Sequence, residues 1–526
     1  MITLTAVLAA AGIVCAVLVS PWWWFGAGPA LLLLLLVCWD VAQRRHSVLR
    51  NYPVLGHLRF LLEAIRPELQ QYFIERNYDG RPFDRDTRSI VYERAKGTDA
   101  EEPFGTERDL VQPGSEYLVP SMAPRPVPED PPRVRIGGPD CTRPYDMALL
   151  NVSAMSFGSL SGNAVLALNT GAARGGFAHD TGEGGLSEYH LRPGGDLVWE
   201  IGTGYFGCRT PDGGFDAEEF ARKAAHDQVK CVSLKISQGA KPGIGGVLPG
   251  TKVNEEIARV RGVPQGQTVV SPPYHRVYSN PRELVRFLAR MRELAGGKPV
   301  GFKLCVGSRR EFLAVCKAML AEDVTPDFVI VDGAEGGTGA APLEFADNLG
   351  LPLTEGLMTV HNALVGTGLR DRIRVGASGK VATGSDLVKR LLMGADYTNA
   401  ARAMMFAVGC IQAQSCHTNR CPVGVATQDP RRAAALDVAD KSERVRRFQE
   451  ATVKSALQIM ASMGVSEPAE LRPHMLLHRV DPHTVRTYEE LHPWLTPGQL
   501  LKADEDGMPS GWAEDWSRAD PDRFGR

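Results

Sequence analysis

The chain has 526 residues, enough for one large barrel and smaller flanking pieces. Its formal net charge of −2, with no long basic run, gives no footing for a nucleic-acid partner. Ten cysteines over this length exclude the dense disulfide framework of a small secreted domain.

The first 39 residues contain no charged side chain. Two apolar runs, Thr3 to Val19 and Leu31 to Trp39, flank the aromatic turn PWWWFGAGP, whose Trp22, Trp23 and Trp24 suit a membrane–water interface. A secretory signal would carry a positive n-region, which is missing. Residues 1–40 are therefore expected to form a transmembrane hairpin, each arm near the lower limit of about 17–25 residues. Arg44, Arg45 and Arg50 follow the second arm and predict that both ends lie in the cytoplasm, with the rest of the chain facing it from the cell membrane. Residues 41–144 read as a polar linker and wrapping segment. RPELQQYFIERNYDG predicts a short helix that starts near Pro67 and ends at Gly80. Pro120 to Pro139 predicts extended chain.

From residue 145 short apolar runs alternate with helical patterns. NVSAM, AHDTG, LVWEIG, CVSLKI, GFKLCV, FVIVDG, IRVGAS and YTNAA are eight candidate strands. Helices are expected over Pro281 to Ala295, Arg309 to Ala321 and Ser385 to Leu392, with none obvious between AHDTG and LVWEIG. The alternation predicts an α/β fold, a (β/α)8 TIM barrel over residues 145–430, with its active site at the C-terminal strand ends. GASGKVATG follows the seventh strand and opens a helix. Gly379 and Lys380 there, with Ala401 and Arg402 after the eighth strand, are candidates for a phosphate site, helped by the helix dipole. Lys303 lies in a strand between Phe302 and Leu304, and a charge there needs a reason. Cys410, Cys416 and Cys421 fall within twelve residues, and Pro422 follows directly. Three thiolates without a fourth suit a [3Fe-4S] cluster; zinc with the adjacent His417, or three ordinary buried cysteines, are the alternatives. Residues 431–526 predict a helical extension, amphipathic over Glu443 to Met463, with a loose acidic end.

Ordered motifs add a resemblance. SAMSFGSLS, DTGEGG, QGAKPG, LPGTKV, SPP, GAEGGTGA and GCIQAQSCHTNRCPVGVATQ occur in the order found in the synthase domain of the glutamate synthase large subunit. The resemblance implies an FMN-dependent oxidoreductase with a [3Fe-4S] cluster on Cys410, Cys416 and Cys421. Met155, Ser156, Gln238, Lys303 and Gly337, with the phosphate loops, would hold FMN, Lys303 neutralising charge on the reduced ring. Gln238, Lys241 and Arg261 would bind a 2-oxo acid, with Arg259 competing for the last role, and Glu183 would move protons at an imine nitrogen. The reaction implied is reductive amination of 2-oxoglutarate or a relative with ammonia or an amine. No strand–GxGxxG–helix fingerprint is present, so the expected electron donor is ferredoxin or a separate reductase subunit. Departures from the family are the missing amidotransferase and β-helix domains, Ile244 where an acid is usual, and Arg276 after His275. Another FMN barrel oxidoreductase or isomerase, or a non-catalytic membrane electron carrier, is the alternative.

Overall fold

The computed structural model describes residues 2–98, 101, 104–502 and 508–525. They form two compact units, 1–86 and 87–526.

The first unit opens on helices α1 (Ile2–Leu18) and α2 (Trp24–Ala42), joined through the turn Pro21–Trp23. They pack through small residues. Thr5, Ala9 and Ala16 of α1 are buried, and a Cβ on Gly12 would stand 3.0 Å from the Cα of Ala27. Their outward leucines, valines and tryptophans are exposed. Residues Pro21–Ala42 make one helical stretch long and apolar enough to cross a membrane, whereas α1, with 17 residues, is shorter. Next come α3 (Ser47–Asn51), α4 (Gly56–Leu69) and a wider π-type turn over Gln70–Ile74. The expected helix start at Pro67 is corrected here: Pro67 lies in the last turn of α4. Proline there removes one N–H from the ladder, and the chain relaxes into the wider turn that follows.

In the second unit eight strands close a barrel. They are β1 (Leu150–Val152), β2 (His179–Asp180), β3 (Leu197–Ile201), β4 (Val229–Lys235), β5 (Val300–Leu304), β6 (Phe328–Asp332), β7 (Arg374–Ser378) and β8 (Tyr397–Ala400). Every neighbouring pair is parallel, including β8 to β1, which closes the ring. All eight expected strands are present, so the (β/α)8 expectation holds. The strands are almost wholly buried, which is why LVWEI of β3 and FVIVD of β6 are nearly continuous apolar runs rather than alternating ones. Between β2 and β3 only the short helix Glu188–Leu191 intervenes, the irregularity the sequence had suggested.

Helices surround the ring: α5 (Gly162–Gly175), α6 (Pro281–Leu294), α7 (Arg309–Glu322), α8 (Leu353–Gly366), α9 (Gly384–Leu392), α10 (Arg402–Ala407) and α11 (Val438–Ser462). Asn280 caps α6 with proline in the first turn, and Asp437 caps α11. The hairpin of Val134–Ile136 with Tyr145–Met147 plugs the N-terminal end of the barrel. Ile136 and Met147 join Val198, Cys231, Phe328, Ile330 and Tyr397 in one buried cluster. That leaves the C-terminal strand ends as the open face.

Beyond Ser462 the extension is not helical throughout. Leu476–Arg479 pairs with Glu116–Leu118 and with Val485–Thr487 in a small antiparallel sheet. The expectation of a loose acidic end is corrected as well. Trp512 is buried beneath the Arg309 guanidinium, 4.5 Å from its ring centroid, and Asp515 pairs with Arg309 at 2.6 Å.

Candidate active site

The C-terminal ends of the strands carry an ionic layer. Asp180 ends β2, Glu200 stands near the end of β3, Lys235 ends β4 and Lys303 stands near the end of β5. All four are buried. The register sets Lys303 beside Lys235 on β4 and Ile330 on β6, and its ammonium pairs with the Glu200 carboxylate. Burial alone would depress Lys303, but Glu200, Asp180 and Asp332 outweigh it and raise its pKa. Burial and then the Glu200 charge push Asp180 well above the ordinary carboxylate range, against the pull of Lys303 and Lys235. Two carboxylates thus share one close cation in a dry environment, where both cannot cheaply ionise.

Beside this layer lies a small cleft lined by Glu183, Thr203, Lys235, Gln238, Ile244 and Pro273. The Glu183 carboxylate meets the Lys235 ammonium at 2.8 Å. It fits because two neighbours lack side chains: a Cβ on Gly246 would stand 2.1 Å from one carboxylate oxygen, and a Cβ on Gly202 2.4 Å from the other. Burial works to raise Glu183, but Lys235, Arg261 and Lys241 overcome it and hold it below the usual range. Lys241 is buried and donates to the Ala340 carbonyl at 3.1 Å; burial and the Lys235 charge bring it down to about 8. Arg261, lowered to about 10 by burial, donates to Ser156 Oγ at 3.2 Å and to the Phe157 carbonyl at 3.0 Å, over the Phe206 ring. Arg261 thereby joins the cleft to the loop after β1, where Met155 and Ser156 are buried. Arg276 reaches the Asp212 carbonyl instead and does not line the cleft.

The loops after β6 and β8 meet at Arg402, and the loop after β7 lies against Glu335 of the first of them. The Arg402 guanidinium donates to the Glu335 carbonyl at 2.7 Å, and a Cβ on Gly337 would come within 3.0–3.1 Å of it. Gly379 and Lys380 follow β7 directly, with Lys380 at φ 50°, and Ala401 precedes α10. Glycine backbone beside a half-buried guanidinium fits a phosphate monoester. At the start of α9 a capping box occupies two of the nearby backbone donors, Asp386 Oδ2 accepting from Ala382 N at 3.1 Å and Thr383 N at 2.9 Å.

Cys410, Cys416 and Cys421 lie on the loop after α10, which passes through left-handed conformations at Gly409, Gln412, Gln414 and Asn419. Cys410 is pushed up to about 12 by burial and then by Cys416 and Cys421, so the three sulfurs act on one another. Among the described residues no group of three or more His, Cys, Asp or Glu closes around a single metal ion. Three thiols on one loop are the donor set of a multi-iron cluster with one cysteine per iron, or of a zinc site completed by His417. Buried Lys252 donates to the Ser159 and Ala426 carbonyls at 3.0 Å each and is near enough to Cys416 and Cys421 to feel their charge.

Four participants escaped the sequence reading: Asp180, Glu200, Lys235 and Lys252. Glu200 and Lys235 were visible only as charges near the ends of strands, the signal that singled out Lys303, and Asp180 only as the first residue of DTGEGG.

Residues 144–466 match a family model described as the conserved region in glutamate synthase. The glutamate synthase large subunit-like protein YerD of Bacillus subtilis is 38% identical over 493 residues, covering 86% of this chain and 93% of YerD. The archaeal glutamate synthase (NADPH) of Methanocaldococcus jannaschii is 33% identical over 323 residues, 61% of this chain and 60% of that protein. A mandelate oxidase structure with (S)-2-phenylpropionate covers 76% of this chain at 15% identity with a TM-score of 0.42, too slight a likeness to bear on function. With a family match over more than half its length and a relative alike along most of it, the chain belongs to the glutamate synthase family.

Proposed function

We propose that this glutamate synthase-like oxidoreductase reduces, at its barrel mouth, the imine formed from a 2-oxo diacid and ammonia or an amine. The observation that carries the reading is the charge of the cleft. Lys235 lines the cleft with one carboxylate, Glu183, and buried Lys241 and Arg261 stand near enough behind it to act on that carboxylate. The surplus of two positive charges complements a dicarboxylate. Ile244, apolar and in the cleft wall, favours a relative of 2-oxoglutarate with a less polar distal end as the competing substrate.

Arg402, Gly337, Gly379, Lys380 and Ala401 would hold the FMN phosphate, with Met155, Ser156, Gln238 and Lys303 toward its ring. Cys410, Cys416 and Cys421 would hold a [3Fe-4S] cluster. Bound FMN supplies hydride transfer and the cluster supplies one-electron relay. The chain's own groups then divide the proton work. Glu183, kept ionised by Lys235, is an acceptor. Lys241, with a pKa of about 8, is the group able to donate to the imine nitrogen near neutral pH. Reduction of one imine takes two electrons and two protons, the electrons coming from ferredoxin or a reductase subunit. The hairpin of α1 and α2 anchors the chain in the cell membrane with the barrel facing the cytoplasm, in line with Arg44, Arg45 and Arg50 after α2.

The test is anaerobic purification with cofactor analysis, followed by reoxidation of the reduced flavin against a panel of 2-oxo mono- and diacids with ammonia or methylamine. Faster reoxidation with a diacid plus ammonia than with either alone supports the proposal; indifference to all 2-oxo acids overturns it.

A further inference from the structure

Helix α4 presents an apolar stripe that nothing in its own unit covers. Leu58, Leu61, Leu62, Ile65 and Leu69 recur at i, i+3, i+4, i+7 and i+11, and Tyr72 continues the line into the wider turn. Their exposures are 56, 57, 51, 40, 38 and 54%. Arg59, Glu63 and Arg66 lie off the stripe, Arg59 bonding Glu63 at 2.8 Å. A continuous apolar surface of this kind marks an interaction site rather than a water-facing helix.

The start of α4 is pinned where the apolar part of α2 ends. Asp40, in the last turns of α2 and fully buried, accepts from Val54 N at 2.9 Å and bonds His57 Nε2 at 2.9 Å. The Phe60 ring packs on His46, with centroids 5.0 Å apart. Between residues 41 and 74 there are five arginines (Arg44, Arg45, Arg50, Arg59, Arg66) against two glutamates (Glu63, Glu68), an excess of three positive charges.

We propose that α4 lies along the surface of an anionic bilayer, its leucine stripe at the acyl boundary and its arginines among the headgroups. This rests on the membrane placement of the hairpin and deepens it. Pinning by Asp40 sets the helix at headgroup level, the stripe supplies apolar burial, and the arginine excess supplies the preference for negative lipid. Such a helix would hold the chain at the membrane surface independently of the short arm α1.

The test uses the full chain in lipid nanodiscs, with the photo-crosslinker benzoylphenylalanine placed singly at Leu62, at Glu63, or at Leu35 of α2. Lipid adducts at Leu62 and Leu35 but not at Glu63 are expected. Lipid capture at Leu35 with only protein capture at Leu62, whether a second copy or the barrel, overturns the proposal while leaving the hairpin anchor standing. Lipid capture at neither overturns both. Hydrogen exchange over residues 57–69 is expected to be slower in phosphatidylcholine–phosphatidylserine discs than in phosphatidylcholine alone; equal rates overturn the anionic preference.

Discussion

Lys303→Met is the most informative perturbation of the barrel mouth, because the structure turns an expected redox effect into a stability effect as well. Removing the ammonium leaves Glu200, 1% exposed, next to a second buried carboxylate, Asp180. Breaking a buried pair from one side costs about 3–5 kcal/mol. Glu200→Gln is milder, since Lys303 keeps Asp180 and Asp332 as neighbours. The double variant removes both charges together, so Glu200→Gln should restore part of what Lys303→Met loses, with a coupling of about 0.5–3 kcal/mol for residues in contact. Urea midpoints of the detergent-solubilised chain, followed by fluorescence, give the order: wild type, Glu200→Gln, double variant, then Lys303→Met lowest. In FMN-loaded protein the potential should fall for Lys303→Met and rise for Glu200→Gln. A local interaction of about 1.5–3 kcal/mol corresponds to about 30–65 mV for a two-electron couple. A Lys303→Met variant as stable as wild type, or one that Glu200→Gln fails to rescue, would refute the pairing.

Replacing Cys410, Cys416 or Cys421 by serine should abolish a low-temperature EPR signal of the oxidised protein, which should otherwise hold about three irons per chain; stoichiometric zinc without iron would contradict the assignment. Asp180 has a raised folded pKa, so the folded state retains a proton that the unfolded chain releases above about pH 4. Stability should therefore fall as pH rises from there through the raised folded value, and Asp180→Asn should flatten that slope in pH-dependent urea midpoints. If Lys241 donates to the imine, turnover should decline as pH rises through about 8, and Lys241→Met should remove that limb of the profile.

The barrel was legible because short β-rich runs, most of them apolar, alternate with helical patterns, and β1 to β8 all formed where the pattern placed them. The residues that meet across the ring were not. Glu200 and Lys303 are far apart in sequence and become partners only when β3, β4 and β5 are brought into register. Single-strand patterns carry no information on such pairs. Pro67 misled the helix boundary, since proline near a helix start and proline in a last turn look alike without the preceding leucine stripe. The C-terminal segment looked loose because Arg309, the partner of Asp515, lies on a helix far upstream.

Reductive amination beside Glu183, Lys235, Lys241 and Arg261 can be observed through its product. The direct measurement is mass spectrometry of products formed by the chemically reduced, FMN-loaded full chain given a 2-oxo diacid and nitrogen-15 ammonia without oxygen. A labelled amino diacid is expected, stoichiometric with flavin oxidised, and formed more slowly in Lys241→Met. Flavin oxidation without labelled amino acid, or labelled product formed at an unchanged rate in Lys241→Met, would contradict the proposed reaction.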